Sequence, residues 1–339
     1  MKILLAVLVG LWAFNVQATE LVLKEGDVID LGAAPVGQRV FEFDKVRMAS
    51  HSLILVPASY RNVDIRINEL TTDGIAYLYV YNDSVPGMAP PSPGWPQAGM
   101  CNPGQNGVKG STGRHGIDGP QMTLTIGLAK VERFLLINHG GGGGTGGVGG
   151  RGQDGGGPGG ANKCLNPCNG GNAGHGGEGG NGGDGGAGGD VVFKFSGDAG
   201  QVASDTFDDP YGVAFLHSLV GAPLRVKQID GYPRPAIGLN ILEAMLGEMM
   251  ASESRVEPGK EHKTTSMETL TKPGVSFSLS GGIGGAPGIG GDGGKGGDGF
   301  RCFVGHDMNT GNNGENRNWM IGKQGRVGSS GKLTVLKLN

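Results

Sequence analysis

The sequence predicts a mainly β protein: a β-sandwich base carrying a bundle of about six polyglycine or polyproline-II rods, with one amphipathic helix inserted. Three observations lead there. Glycine accounts for 71 of 339 residues, about three times the ~7% usual in proteins. The glycines recur every third residue. Short runs of β-branched and aromatic residues abut the glycine tracts.

The triplet phase is legible by eye. From Gly140 the chain reads GGG GGT GGV GGR GQD GGG PGG, from Gly170 GGN AGH GGE GGN GGD GGA GGD, and from Gly281 GGI GGA PGI GGD GGK GGD. Single-glycine triplets run from Gly104 (GQN GVK GST GRH GID GPQ) and from Gly322 (GKQ GRV GSS G). Three residues per turn is the period of the polyproline-II helix, which has no internal hydrogen bonds. Its N–H and C=O groups must therefore find partners on neighbouring chains. Two glycines per triplet clear two of three faces for such neighbours, and one clears a single face. Residues 140–160, 170–190 and 281–299 are thus expected as central rods, and 104–121 and 322–331 as edge rods. The Pro-rich VPGMAPPSPGWPQ from Val85 favours the same extended helix and supplies a sixth. A disordered linker would have no reason to keep phase, or to hold Val148, Ile283 and Ile289 at the non-glycine position.

The remaining elements read as strands. Residues 39–43, 45–56, 62–70 and 75–81 are rich in β-branched and aromatic types, and Val63, Ile65 and Ile67 alternate with polar neighbours. Residues 122–126 and 133–138 are expected to form a hairpin, and 190–195, 275–280 and 332–338 further short strands. Each glycine tract adjoins a strand, so the chain goes out from the base and returns. Residues 236–252 are expected as an amphipathic helix, with Leu239, Leu242, Met245, Leu246 and Met249 on the face that packs on the sheet. The division is 1–18 signal peptide, 19–81 β-sandwich base, 82–195 rod hairpins with intervening strands, 196–274 helix and loop insertion, and 275–339 third rod hairpin and closing strand.

The amino terminus carries Lys2, an apolar run over 3–14 and a small-x-small site at Val16-Gln17-Ala18. That is the anatomy of a cleaved signal peptide. The expected location is secreted, extracellular or cell-surface, with the periplasm as the other oxidising compartment. No later segment has the ~18 apolar residues of a membrane helix. The four cysteines, Cys101, Cys164, Cys168 and Cys302, all fall where rods turn back, and four cysteines allow three pairings. The favoured arrangement bridges Cys101 and Cys302 each to the 164–168 loop. A four-thiolate zinc site is the rival, disfavoured by an oxidising compartment.

No catalytic constellation is present. The GxGxxG matches are products of composition and precede no helix, and no GxxxxGK[ST], HExxH or GxSxG is found. Net charge is −3, and basic residues do not cluster, so no nucleic-acid surface is expected. One stretch, GGKGGDGFR with Asp298 and Phe300, fits a calcium repeat, and Asp154 and Asp184 lie in half-matches. The period is three rather than nine, so neither metal nor cofactor is assigned. Outward rod positions, among them His175 and Asn181, read as solvated side chains. Trp95, Phe300, Phe303, His306, Asn309, Asn312, Asn313, Asn316 and Trp319 gather near the expected distal tip, where rings and amides on loops held by a scaffold make a recognition surface. The competing reading is that they cap the rod ends. Expected partners are a cell-surface receptor, a glycan or an envelope component.

These GGX runs, their phase and the tip loops resemble the polyglycine-II sandwich of bacteriophage long-tail-fibre adhesins and, more distantly, the springtail glycine-rich antifreeze proteins. The resemblance covers about a third of the chain and rests on repeat geometry. The first family implies receptor binding by loops at the rod ends. The second implies ice binding by a flat face of small residues, against which stand the charged outward positions Glu178, Asp184, Asp292, Lys295 and Asp298. The function expected is a non-catalytic adhesin or recognition protein. The alternatives are a structural or ice-binding extracellular protein, or a calcium-binding repeat protein.

Overall fold

The computed structural model describes residues 17–34, 37, 39–81, 96–157, 169–198, 202–206, 225–226, 273–298 and 309–338. Most of the expected signal peptide, the Pro-rich stretch, the 236–252 helix, Trp95, Cys164, Cys168, Phe300, Cys302, Phe303 and His306 lie outside them.

The described residues are mainly β, with short 3-10 turns at Leu31–Ala33 and Ala58–Tyr60 as their only helix. The strands are β1 Gln17–Leu23, β2 Asp27–Asp30, β3 Val40–Ala49, β4 Leu53–Pro57, β5 Asn62–Tyr81, β6 Gln121–Ile137, β7 Val191–Ser196, β8 Val202–Thr206, β9 Arg225–Val226, β10 Gly274–Ser278 and β11 Leu333–Lys337. Every pairing among them is parallel. This corrects the expected hairpin: 122–126 and 133–138 belong to one continuous strand, β6. Two other expectations change as well. The run 45–56 breaks at Ser50-His51-Ser52, where His51 takes φ 59, and 62–81 passes through as a single strand. Residues 71–74, between the two expected strands, are an irregularity inside β5, with register shifts against β6 and Gly74 at φ 86. A left-handed residue there relieves the kink without ending the strand.

The registers define a coil. Val28 lies opposite Leu53 and Leu53 opposite Tyr77, while Val40 lies opposite Asp64. Each circuit therefore returns after 24 or 25 residues. The first half of β5 pairs with β3 and its second half with β4, and β6 likewise pairs with β7 first and β10 second. The long strands are shared by two half-sheets. Alternation places Phe41, Phe43, Ile65, Ile67, Leu124, Ile126, Phe193 and Phe195 of the first half and Ile54, Val56, Leu78, Val80, Phe134, Leu136 and Phe277 of the second in one buried cluster. Phe193 meets Phe277 edge-on at 5.1 Å, so the halves face one another across the core. The far side of the second half is buried too: Leu53, Tyr77 and Ile137 are fully covered, Leu55 and Leu135 nearly so. β4 and the second halves of β5 and β6 are thus apolar on both faces, as parallel strands covered on both sides are, while β10 buries Ser276 and Ser278 opposite Val275 and Phe277.

Later circuits are longer. Asn62 lies opposite Gln121, Met122 opposite Val191, and Val191 opposite Leu333. The added residues are the glycine triplets. We label the described triplet segments T1 (104–119), T2 (140–156), T3 (170–189), T4 (281–297) and T5 (309–331). T1, T3 and T5 lead into β6, β7 and β11, whereas T2 and T4 leave β6 and β10. None is helix or strand, yet their backbones are joined at every third residue. T1 donates from Gly107, Gly110, Gly113 and Gly116 to the carbonyls of His175, Glu178, Asn181 and Asp184 in T3. T2 donates from Gly144, Gly147 and Gly150 to Arg114, Ser111 and Val108 of T1, and from Gly143, Gly146 and Gly149 to Ile283, Ala286 and Ile289 of T4. T3 donates to T2 and T5, and T4 donates to T3. T3 thus bonds to all four other segments. A Cβ on Gly177, Gly180 or Gly183 would strike a carbonyl of T1, and one on Gly176, Gly179 or Gly182 a carbonyl of T4. Close approach of two backbones is the reason for paired glycines here.

Candidate functional site

Each triplet also has N–H groups that take no part in this backbone ladder. Side chains of the neighbouring segment fill that need. Along T3 and just beyond its two ends, the Oδ1 atoms of Asn169, Asn172, Asn181, Asp184 and Asp190 accept from the N–H groups of Asn309, Asn312, Lys323, Arg326 and Lys332, at 2.8–3.0 Å. His175 does the same through Nδ1 for the Glu315 N–H. From T1, Asn106, His115 and Asp118 accept from the N–H groups of His175, Asp184 and Ala187. On T5, Asn313 and Asn316 accept from Gly296 and Gly293 of T4. His175 was expected to be solvated, and Asn313 and Asn316 to belong to the tip; these outward side chains are instead the third set of ties between segments. Their signal was an amide, carboxylate or imidazole recurring at period three along 169–190, because those groups offer an acceptor at short reach.

Ion pairs reinforce the ties. Arg326 Nη2 lies 2.8 Å from Asp184 Oδ2, and its own N–H donates to Asp184 Oδ1. These bonds hold the Asp184 carboxyl below the usual carboxylate range, the side-chain bond from Arg326 contributing most, and they raise the Arg326 guanidinium. Lys109 pairs with Glu178 and Arg151 with Asp154, whose Oδ1 also accepts the Lys295 N–H. Asp154 and Asp184, the two carboxylates in half-matches to a calcium repeat, are therefore engaged with backbone and cations. Among the described residues no three His, Cys, Asp or Glu side chains are grouped to hold a metal.

The expected tip residues separate. Cys101 is disulfide-bonded, and its N–H donates to the Gly157 carbonyl at the end of T2 far from the sheet. Asn309 and Asn312 lie on T5 beside the distal part of T3, and Asn313 and Asn316 have their Oδ1 atoms tied to T4. Trp319 is not at the tip, which corrects its expected place. Arg317 donates to Gly291 and Gly322 to Gly288, so five residues of T5 span a step that three span elsewhere. The surplus turns outward at mid-length, with Trp319 64% and Ile321 58% exposed. Glycines at 311 and 314 had already set the phase of T5, which is the signal that 309–316 belongs to a segment and not to a loop.

No helix among the described residues is long and apolar enough to cross a membrane. No protein-family model, curated protein or solved structure matches this chain.

Proposed function

We propose that this protein is a secreted or cell-surface, non-catalytic adhesin or recognition protein, in which polyglycine-II rods hold disulfide-pinned loops away from a β base. In this reading T1 to T5 are five rods and the Pro-rich 82–95 stretch the sixth. At ~3.1 Å per residue they carry the distal loops roughly 55 Å from the sheet. The observation that carries the reading is the three-residue hydrogen-bond ladder ending where Cys101 is disulfide-bonded. Cys101 and Cys302 each pair with the 164–168 loop. The 236–252 helix lies on the far side of the second half-sheet, a placement supported by the burial of Leu53, Leu55, Tyr77, Leu135 and Ile137 there. A signal peptide delivers the chain to the oxidising compartment that its disulfide needs.

Recognition falls to loops 91–103, 161–169 and 299–308, with Trp95, Phe300, Phe303 and His306 as contact residues for a receptor, glycan or envelope component. Trp319 forms a separate exposed site. The test is binding to cells, glycan arrays and envelope fractions by the wild type, by Trp95→Ala with Phe303→Ala, and by Trp319→Ala. Loss of binding in the tip double variant, with thermal stability retained, supports the reading. Full binding by a folded tip variant overturns the tip assignment.

A second reading is a structural or ice-binding shell. It is favoured by the outward row of Thr145, Val148, Ile283, Ala286 and Ile289 on T2 and T4, where Val148 is 43% and Ile289 52% exposed. Thermal hysteresis in the purified protein would establish it.

A further inference from the structure

Two of the outward ties differ in kind from the rest. Where Asn and Asp offer oxygen acceptors, His115 offers Nδ1 to the Asp184 N–H at 3.0 Å, and His175 offers Nδ1 to the Glu315 N–H at 3.0 Å. A backbone amide only donates, so each ring must be neutral at Nδ1 and carry its proton on Nε2. An imidazolium has donors at both nitrogens and no acceptor. Histidine is also the side chain whose charge ordinarily changes between pH 5 and 8. The two ties sit on successive gaps of the same outer layer: His115 joins T1 to T3, and His175 joins T3 to T5.

We infer that His115 and His175 are acid-sensitive clasps, which hold the outer layer of triplet segments together when neutral and release it at those two levels when protonated. Each ring accepts from the N–H of a residue that itself carries a carboxylate. For His115 that residue is Asp184 on T3, whose carboxylate pairs with Arg326 of T5; Asp118 on the ring's own segment has its Oδ1 bonded to the Ala187 N–H. For His175 it is Glu315 on T5, and Glu178 on the ring's own segment is engaged by Lys109 of T1. A protonated ring can therefore turn from the backbone N–H of Asp184 or Glu315 to the carboxylate of that same residue. The molecule passes between two bonded arrangements, and the ladder of glycine bonds beneath stays intact. The neighbouring ties at Asn172 and Asn181 contain no group that titrates in this range, so the response is confined to two levels.

Those neutral ties are the internal controls. Solvent exchange of the Asp184, Glu315, Asn312 and Lys323 amides would be measured by NMR at pH 7.5 and 5.5, each rate divided by the intrinsic rate for that sequence and pH. Ring-nitrogen spectra would report the tautomers. The expected result is a proton on Nε2 of both histidines at pH 7.5. Protection of Asp184 and Glu315 should fall roughly fivefold or more at pH 5.5, with Asn312 and Lys323 unchanged. The variants His115→Asn and His175→Asn place at these levels the residue used at 106, 172 and 181, and should keep protection at both pH values. Equal changes at all four amides, unchanged protection at Asp184 and Glu315, or a proton on Nδ1 at pH 7.5 would each overturn the inference.

Discussion

Replacing Gly182 with alanine adds one methyl group where two backbones are in close contact. That Cβ would fall on the carbonyl oxygen of Gly285 and lie 2.9 Å from the oxygen of Ala286, both backbone atoms that no rotamer change can move. T3 and T4 must separate there. Separation breaks the bond from Gly285 N–H to Gly183 and strains those from Gly282 to Gly186 and Gly288 to Gly180, all of 2.7–2.8 Å. Three bonds at ~1 kcal/mol each, more where a buried group is left without a partner, give a loss of about 3 kcal/mol or somewhat above. Gly142 is the control, because a Cβ there meets only Ile283 atoms at 3.7 and 3.8 Å, ordinary contact. Gly142→Ala should be neutral or stabilising by ~0.4–1 kcal/mol through the unfolded chain. Asn181→Ala should fall between them, losing the tie to Lys323, worth ~1 kcal/mol. Thermal unfolding by calorimetry, with hydrogen exchange of the peptide 170–190, separates the three. Equal stability of Gly182→Ala and Gly142→Ala would refute the close-packing argument.

Two further outcomes follow from the same geometry. Asp184 has its folded-state pKa lowered, so its pairing contributes stability above the ordinary carboxylate value of 3.8 and loses it as pH falls through the lowered value; Asp184→Asn, which keeps the acceptor for the Arg326 N–H, should flatten part of the acid limb of a stability-against-pH curve. Cys101→Ser should cost ~2–4 kcal/mol, the usual contribution of a cross-link, and should expose the Ala98 and Cys101 amides to exchange while the ladder nearest the sheet keeps its protection.

The triplet segments were legible because a period of three has one physical meaning. GGX against GXX also separated the segment that bonds to four others, T3, from T1 and T5, which bond to two each among the described residues. Strand direction was not legible. Alternation in Val63, Ile65 and Ile67 says which face is buried, but nothing about whether the partner runs parallel, and the partner of Met122 is 69 residues away at Val191. The hairpin between 126 and 133 was inferred from proximity, whereas the parallel coil obliges β6 to run straight through. Asn172, His175 and Asn181 stood in view at period three, but a polar side chain at an exposed position looks the same whether it meets water or an amide. Trp319 was misplaced because RNWMI interrupts the glycines and reads as a loop; an edge segment can shed two residues sideways and resume.

That bulge bears on how such a molecule changes size. Opposite Asn169 stands Asn309, and opposite Asn181 stands Lys323, so the offset between T3 and T5 grows from 140 to 142 across Trp319. Among the described residues T5 bonds only to T3 and T4 and can lay down the surplus sideways, whereas T3 bonds to all four other segments. Length is consequently quantised. A whole triplet added to T3 would demand the same addition in T1, T2 and T4, while T5 tolerates any remainder. The central segment acts as the ruler for the others, and insertions that ignore it can accumulate only along the rim.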